Sequence, residues 1–380
     1  MGPLVQALAA APGVESIVAT TGQHRAMLDQ VLELFQIVPD VDLDVMTGNQ
    51  TLNGLCARLY ERLDDLYAKV QPDLVLVHGD TTTAMTAAMA AFHRRIRIGH
   101  VEAGLRTGDL QKPWPEELNR RVVDLVADYL FAPTESSRLN LVSENPAGQV
   151  IVTGNTVIDA LKLSVERLDG DLELQASIDA GLPLRPGRRV LLITGHRRES
   201  FGEGFNNICI ALSALAAEPD LDIVYPVHLN PNVQGPVHAH LAGKDNIHLL
   251  PPQDYLSFVR LMQRADVILT DSGGVQEEAP ALGRPVLVMR DVTERPEAVA
   301  MGVVTLVGTA SDRIVSAVRQ ALAQPPRTAC FDPHLSPYGD GAASERIVAA
   351  LINAPYRQFV PGGSAEVSKK RNPSNQTECA

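Results

Sequence analysis

Cysteine is scarce: the 380 residues hold four, Cys56, Cys209, Cys330 and Cys379, and no two form a C-x-x-C pair. That excludes a disulfide framework and a zinc knuckle and fits a reducing, cytoplasmic compartment. No apolar run approaches the roughly 20 residues a membrane helix needs, so no membrane association is expected. The first residues, Met-Gly-Pro-Leu-Val-Gln, lack both a basic stretch and a cleavable apolar core, which argues against a secretory signal. Basic residues are in deficit, 33 against 45 acidic, for a net charge of −12. Such a chain is poorly suited to gripping a phosphate backbone, so no nucleic acid partner is expected. H-E-x-x-H and G-x-S-x-G are missing, which counts against zinc proteases and serine hydrolases. No G-x-G-x-x-G follows a strand pattern, so a nicotinamide site has no support. His238 and His240 are not a metal pair, because positions i and i+2 diverge on a helix. Neither a metal nor any other cofactor is expected.

What is present is a globular composition, 45% hydrophobic and 21% charged, with length for two sizeable cores. Short β-branched runs alternate with amphipathic helical stretches. In the first half the runs lie at 17–20, 74–77, 96–101, 129–131 and 150–152. In the second they lie at 190–193, 223–227, 267–269 and 286–289. Near-continuous apolar strands suit a parallel sheet buried on both faces, and the intervening helices imply βαβ crossovers. Residues 169–188 are mixed and polar, end in Gly-Leu-Pro-Leu-Arg-Pro-Gly, and read as a linker. The expected fold class is α/β, with two doubly wound domains over 1–168 and 189–342. A helix within 343–358 crosses back to the first domain, and a disordered tail spans 359–380. The chain opens inside a helical pattern, Leu4 to Leu8, with no strand before it.

Ligands of open α/β sheets bind beyond the carboxyl ends of the strands. In the first half those ends carry His78, Asp80, Glu102 and Arg106, with Glu116 and Glu117 opening a later helix. In the second half they carry His196, Arg197, His228, the run Asp271-Ser272-Gly273-Gly274, and later Glu294 and Arg295. One half offers mostly acids, the other mostly cations and backbone donors. Ser272, Gly273 and Gly274 suit a phosphate at a helix N-terminus; the competing reading is a tight turn needing glycine at positive φ. Asp80, Glu102 and Glu116 suit proton transfer in a desolvated cleft, although Asp80 equally suits a helix N-cap. Glu278 suits a ribose contact, or a solvated surface position.

Several segments carry a resemblance. They are residues 77–83 (Val-His-Gly-Asp-Thr-Thr-Thr), 99–107 (Gly-His-Val-Glu-Ala-Gly-Leu-Arg-Thr), 113–117 (Pro-Trp-Pro-Glu-Glu), 153–159 (Thr-Gly-Asn-Thr-Val-Ile-Asp) and 194–199 (Thr-Gly-His-Arg-Arg-Glu). With them stand 225–232 (Tyr-Pro-Val-His-Leu-Asn-Pro-Asn), 271–278 (Asp-Ser-Gly-Gly-Val-Gln-Glu-Glu), 294–297 (Glu-Arg-Pro-Glu) and 337–341 (Pro-Tyr-Gly-Asp-Gly). Together, from about Leu4 to about Asn353, the chain resembles the bacterial non-hydrolysing UDP-N-acetylglucosamine 2-epimerases. The resemblance implies two Rossmann-like domains in a GT-B arrangement, with UDP in the interdomain cleft. It implies reversible conversion of UDP-N-acetylglucosamine to UDP-N-acetylmannosamine for surface polysaccharide, by anti elimination of UDP to 2-acetamidoglucal and re-addition. By motif, Asp80, Glu102, Glu116 and His196 fall on catalytic positions. Gln253 and Phe258 fall on the uridine side, Ser272, Gly273, Gly274 and Glu278 on diphosphate and ribose contacts, and Arg295 on a further nucleotide contact. Gln23, His24, Arg197 and His228 lie in segments where some members bind activating substrate. A homodimer is implied as well.

One departure stands out. Members of that family begin with a strand leading to Gly-Thr-Arg-Pro-Glu, with a Lys soon after, and this chain starts beyond that segment. The expectation is an incorrect start or a truncated chain, with a gap in the first sheet. A hydrolysing epimerase, a GT-B glycosyltransferase and a UDP-sugar-binding protein without turnover are the alternatives.

Overall fold

A computed structural model describes residues 1–22, 25–48, 50–195, 202–326 and 329–362. His196, Arg197, Gln23 and His24 lie outside the described residues. The strands in chain order are β1 (Ala19–Thr20), β2 (Val41–Asp42), β3 (Leu74–His78), β4 (Arg97–Val101), β5 (Tyr129–Ala132) and β6 (Gln149–Val152), then β7 (Arg189–Thr194), β8 (Leu221–Pro226), β9 (Ile247–Leu250), β10 (Val267–Thr270), β11 (Val286–Val288) and β12 (Val304–Leu306). The helices of the first half are α1 (Gly2–Ala10), α2 (Arg25–Leu34), α3 (Leu52–Val70), α4 (Thr82–His93), α5 (Glu116–Val126), α6 (Glu135–Ser143) and α7 (Thr156–Gly170). Those of the second half are α8 (Leu172–Gly181), α9 (Glu203–Leu215), α10 (Pro231–Leu241), α11 (Tyr255–Arg264), α12 (Gly273–Ala281), α13 (Pro296–Ala300), α14 (Ser311–Leu322) and α15 (Ala343–Leu351). The short strands β2, β9 and β12 carry too weak an apolar run to stand out in the sequence.

Every strand pair is parallel. The second lobe has one sheet, in the order β12-β11-β10-β7-β8-β9. Its central strand β7 is buried on both faces. Leu191 and Ile193 meet α9, α10 and α14 on one side; Val190 and Leu192 meet α7, α11 and α12 on the other. That two-sided burial is why the sequence there is continuously apolar rather than alternating. The first lobe has a four-stranded sheet, β3-β4-β5-β6, and a separate β1-β2 pair. Among the described residues β3 pairs only with β4. Helices α3 and α4 cover one face, α1 and α15 the other.

Two elements tie the lobes together. Helix α7 leaves the first sheet and packs Ile158, Leu161, Val165 and Leu168 into the core of the second lobe. The segment read as a linker continues that helix and then forms α8, whose N-terminus is capped by the Asp171 side chain accepting from the Leu174 amide. Helix α15 returns to the first lobe, burying Ile347 and Val348 against Leu4, Leu8 and Phe131. No side chain caps α15 from its own N-cap residue; Asp159 of α7 accepts from the Ala343 and Ser344 amides instead. Phe359, placed by composition in a disordered tail, is 5% exposed, and its amide donates to the Val152 carbonyl. Burial of the aromatic ring offsets the entropy cost of ordering the chain at that position.

Candidate active site

The carboxyl ends of both sheets face one cleft. On the first-lobe wall, Asp80 follows β3 directly. It does not cap α4: Thr81 does, accepting from the Ala84 amide. The Asp80 carboxylate is instead ion-paired with Arg120, and its carbonyl accepts from Asn119, both on α5. Glu102 follows β4 with φ of +70°, in the left-handed region that costs a side-chain-bearing residue about 1–3 kcal/mol. Its carboxyl turns into the cleft, 3.4 Å from His78 Nε2. Burial pushes the Glu102 carboxyl up to about 7, with help from the nearby charges of Glu277 and Asp80, while Arg295 and Asn155 pull the other way. A Cβ at Gly79 would come 3.3 Å from Glu102 Oε2 at a φ of +67°, so glycine there lets the two turns approach. Glu116 opens α5, one turn before the residues that hold Asp80, and its buried Oε2 has no hydrogen-bond partner among the described residues.

Behind these acids lies a brace that sequence reasoning missed. His100 is fully buried in β4; its Nδ1 is 2.6 Å from Asp124 Oδ1, and its Nε2 is 2.9 Å from the Gly79 carbonyl. Asp124 of α5 also accepts from the Gly104 amide and pairs with Arg106 at 2.8 Å. Thus α5 fixes the turns bearing Asp80 and Glu102 from below. Arg106, a cation at a strand end by sequence, is spent on Asp124 and Glu144. The available signal was a histidine inside an apolar strand.

On the second-lobe wall, Ser272 precedes α12 as its N-cap residue without a side-chain cap bond. Neither Gly273 nor Gly274 adopts positive φ, which removes the turn-strain explanation for them. At Gly273 a Cβ would lie 2.7 Å from Arg295 Cζ, so this glycine leaves room for the guanidinium. At Gly274 a Cβ would meet Glu278 Oε1 at an ordinary 3.6 Å. Glu278 is not a solvated surface residue: it is 7% exposed and accepts from Tyr255 Oη at 2.6 Å. Burial pushes its carboxyl up to about 7. Gln253 and Phe258 flank Tyr255; Gln253 donates to the Pro251 carbonyl, and Phe258 packs partly buried on the core. His228 is exposed after β8, its Nδ1 accepting from the Asn230 amide.

The walls are joined by a polar chain. Asn155 Nδ2 donates to Glu102 Oε1 at 3.3 Å and to Glu277 Oε2 at 2.8 Å. Arg295 Nε donates to Glu277 Oε1 at 2.5 Å. Thr134 donates across to Glu297 at 2.9 Å. A cavity of 270 Å³ between the lobes is lined in part by Thr134, Asn155, Glu277, Arg295 and Tyr338. A larger one, 380 Å³, has five arginines but sits near the amino ends of β7 and β10, away from this cleft. Four of its arginines, Arg185, Arg188, Arg260 and Arg264, already pair with Asp222 or Asp179.

Two parallel-sheet lobes, with acids on one wall of the cleft and a glycine-led helix N-terminus beside an arginine on the other, define a GT-B-like protein. The family model described as UDP-N-acetylglucosamine 2-epimerase matches residues 6–352. The chain is 53% identical over 356 residues to the UDP-N-acetylglucosamine 2-epimerase of Escherichia coli K12, covering 93% of this chain and 95% of that one. It is 54% identical over 356 residues to that of Yersinia pestis, with the same coverage. The crystal structure of UDP-GlcNAc 2-epimerase from Neisseria meningitidis bound to UDP-GlcNAc superposes with a TM-score of 0.85 at 47% identity, covering 93% of this chain and 96% of that chain. The chain belongs to the UDP-N-acetylglucosamine 2-epimerase family, and its activity is that of an isomerase. Among the described residues, no helix is long and apolar enough to cross a membrane.

Proposed function

We propose that the cleft interconverts UDP-N-acetylglucosamine and UDP-N-acetylmannosamine by eliminating and re-adding UDP, without hydrolysis. The C2 proton has no adjacent carbonyl to acidify it, so simple deprotonation is disfavoured. In elimination a carboxylate takes the C2 proton, the C1–O bond breaks, and its electron pair leaves on the diphosphate, giving 2-acetamidoglucal. Proton return to the opposite face of C2 and attack of the phosphate oxygen on C1 give the epimer. Glu102 serves as a proton-transfer group, with a carboxyl poised near neutrality. Asp80, Glu116 and His196 are assigned the remaining proton-transfer and positioning duties. Ser272, Gly273 and Gly274 receive the diphosphate at the start of α12, Arg295 offsets its charge, Glu278 takes the ribose, and Gln253 and Phe258 the uracil. Gln23, His24, Arg197 and His228 are assigned to a second, activating UDP-sugar subsite. Residues 1–168 and 189–342 act as the two lobes of a cytoplasmic homodimer supplying surface polysaccharide.

The observation that carries this reading is the Glu102–Asn155–Glu277–Arg295 chain, which brings a proton-transfer carboxyl to the nucleotide wall. The test is incubation with UDP-N-acetylglucosamine in D2O followed by NMR. Deuterium is expected at C2 of both UDP-sugars without accumulation of free sugar. Free N-acetylmannosamine would instead mark hydrolysis, and UDP-sugar binding without exchange would mark a non-catalytic binder.

A further inference from the structure

We propose that Glu277, acting through Asn155, is a positioning residue that governs how Glu102 holds its proton, from the opposite lobe. The proposal rests on the reading of Glu102 as a proton-transfer group.

Three observations support it. First, Glu277 is 4% exposed on α12, and its two oxygens are engaged separately: Oε1 by Arg295 and Oε2 by Asn155. Second, Asn155 has no freedom to turn away. Its Oδ1 caps α7 by accepting from the Val157 amide, and its backbone N–H donates to the Tyr338 carbonyl at 2.6 Å. The two Nδ2 hydrogens are thereby presented to Glu102 and Glu277. Third, one amide group shared by two buried carboxyls keeps them within mutual repulsion, and the guanidinium is bonded to Glu277 rather than to Glu102. Glu102 therefore faces a carboxyl whose other oxygen holds the guanidinium, and burial raises the Glu277 carboxyl as well. Burial and the Glu277 charge both favour a protonated Glu102 carboxyl.

The other groups around the pair complete the electrostatics. Glu102 also faces His78, Asp80, Arg295 and the Met1 amino group. Glu277 also faces Glu297. Two substitutions of opposite sign separate positioning from general damage. Glu277→Gln removes the negative neighbour. Asn155→Asp replaces the shared donor with a third carboxyl while keeping a residue that caps α7 equally well.

The measurement is the pH dependence of kcat for C2 exchange in wild type and both variants, with thermal melting as the folding control. In wild type a midpoint is expected near neutrality. Glu277→Gln should move it to lower pH by about one pH unit, roughly tenfold in proton affinity, and Asn155→Asp should move it about as far to higher pH. Midpoints that stay put in active variants, or that move in the same direction in both, overturn the proposal. If Glu277→Gln does not fold, Asn155→Asp decides alone: an upward shift supports the proposal, none overturns it. A wild-type chain that folds, binds UDP and never exchanges C2 overturns the epimerase reading and this inference together. Unmoved midpoints in an active series overturn the inference alone.

Discussion

Strands β7 and β3 both run toward the cleft, yet they are held very differently. β7 lies between β10 and β8 and buries four consecutive residues, Val190 to Ile193. β3 is paired only with β4 among the described residues, and of its five residues only Val77 is buried. The second lobe thus gets its rigidity from the sheet. In the first lobe, helix α5 and the His100–Asp124 brace hold the turn after β3, and that turn carries Asp80. A buried polar brace thus fixes the turn after β3 from the helix side.

The sharpest way to break this division of labour is to remove an acid from one wall and watch the other. Glu102→Gln should lower kcat by about 10²–10⁴-fold while UDP affinity stays within about threefold. Loss of UDP binding, read by calorimetry, would show that the walls do not divide chemistry from nucleotide capture. Next in size, the strand comparison predicts unequal stability losses. Leu192→Ala in β7 should cost about 2–5 kcal/mol in urea unfolding, and Leu74→Ala in the partly buried edge β3 less than half of that. Equal losses would mean that β3 is as well buried as β7.

A smaller effect is expected on the second wall. In Gly273→Ala the new methyl would displace the Arg295 guanidinium from Glu277, so UDP should bind about tenfold more weakly, with some loss of melting temperature from the disturbed buried pair. Unaltered UDP affinity would remove Arg295 from the nucleotide wall. The smallest effect compares one raised carboxyl from each lobe, Glu102 and Glu278, both pushed up from 4.5 to about 7. The folded chain binds their protons more tightly than the unfolded one, so their stabilising share is complete below pH 4.5. It is lost as pH rises through about 7. Melting temperature should therefore fall by a few degrees from pH 5 to pH 8, and Glu278→Gln should flatten that slope. An unchanged slope would assign the pH dependence to Glu102 or to other groups.

Much of the candidate site was legible because strand ends are legible. Asp80, Glu102, Ser272 and Gly273 follow from an apolar run stopping at polar residues in a parallel α/β pattern, whereas Arg295 came from the family motif. Their partners were harder to see. Asn155 looked like part of a turn motif, Glu277 like a neighbour of the more interesting Glu278, and Asp124 like one more acid on a charged helix. Each acquires its role from a residue at least 18 positions away in the chain: Glu102, Arg295 and His100. Glu278 misled in the opposite sense, since nothing local signals that Tyr255 covers it.

The chain itself determined the alternation of strands and helices, the two cores and the family, because each is written in local periodicity and contiguous motifs. Only the tertiary structure decided that α7 belongs to both lobes, that Phe359 is buried, and that one asparagine amide serves carboxyls from two lobes. The physical reason is range: periodicity and turn chemistry act over a few residues. The desolvation and charge pairing that set the protonation of Glu102 depend on groups brought together only when the lobes pack.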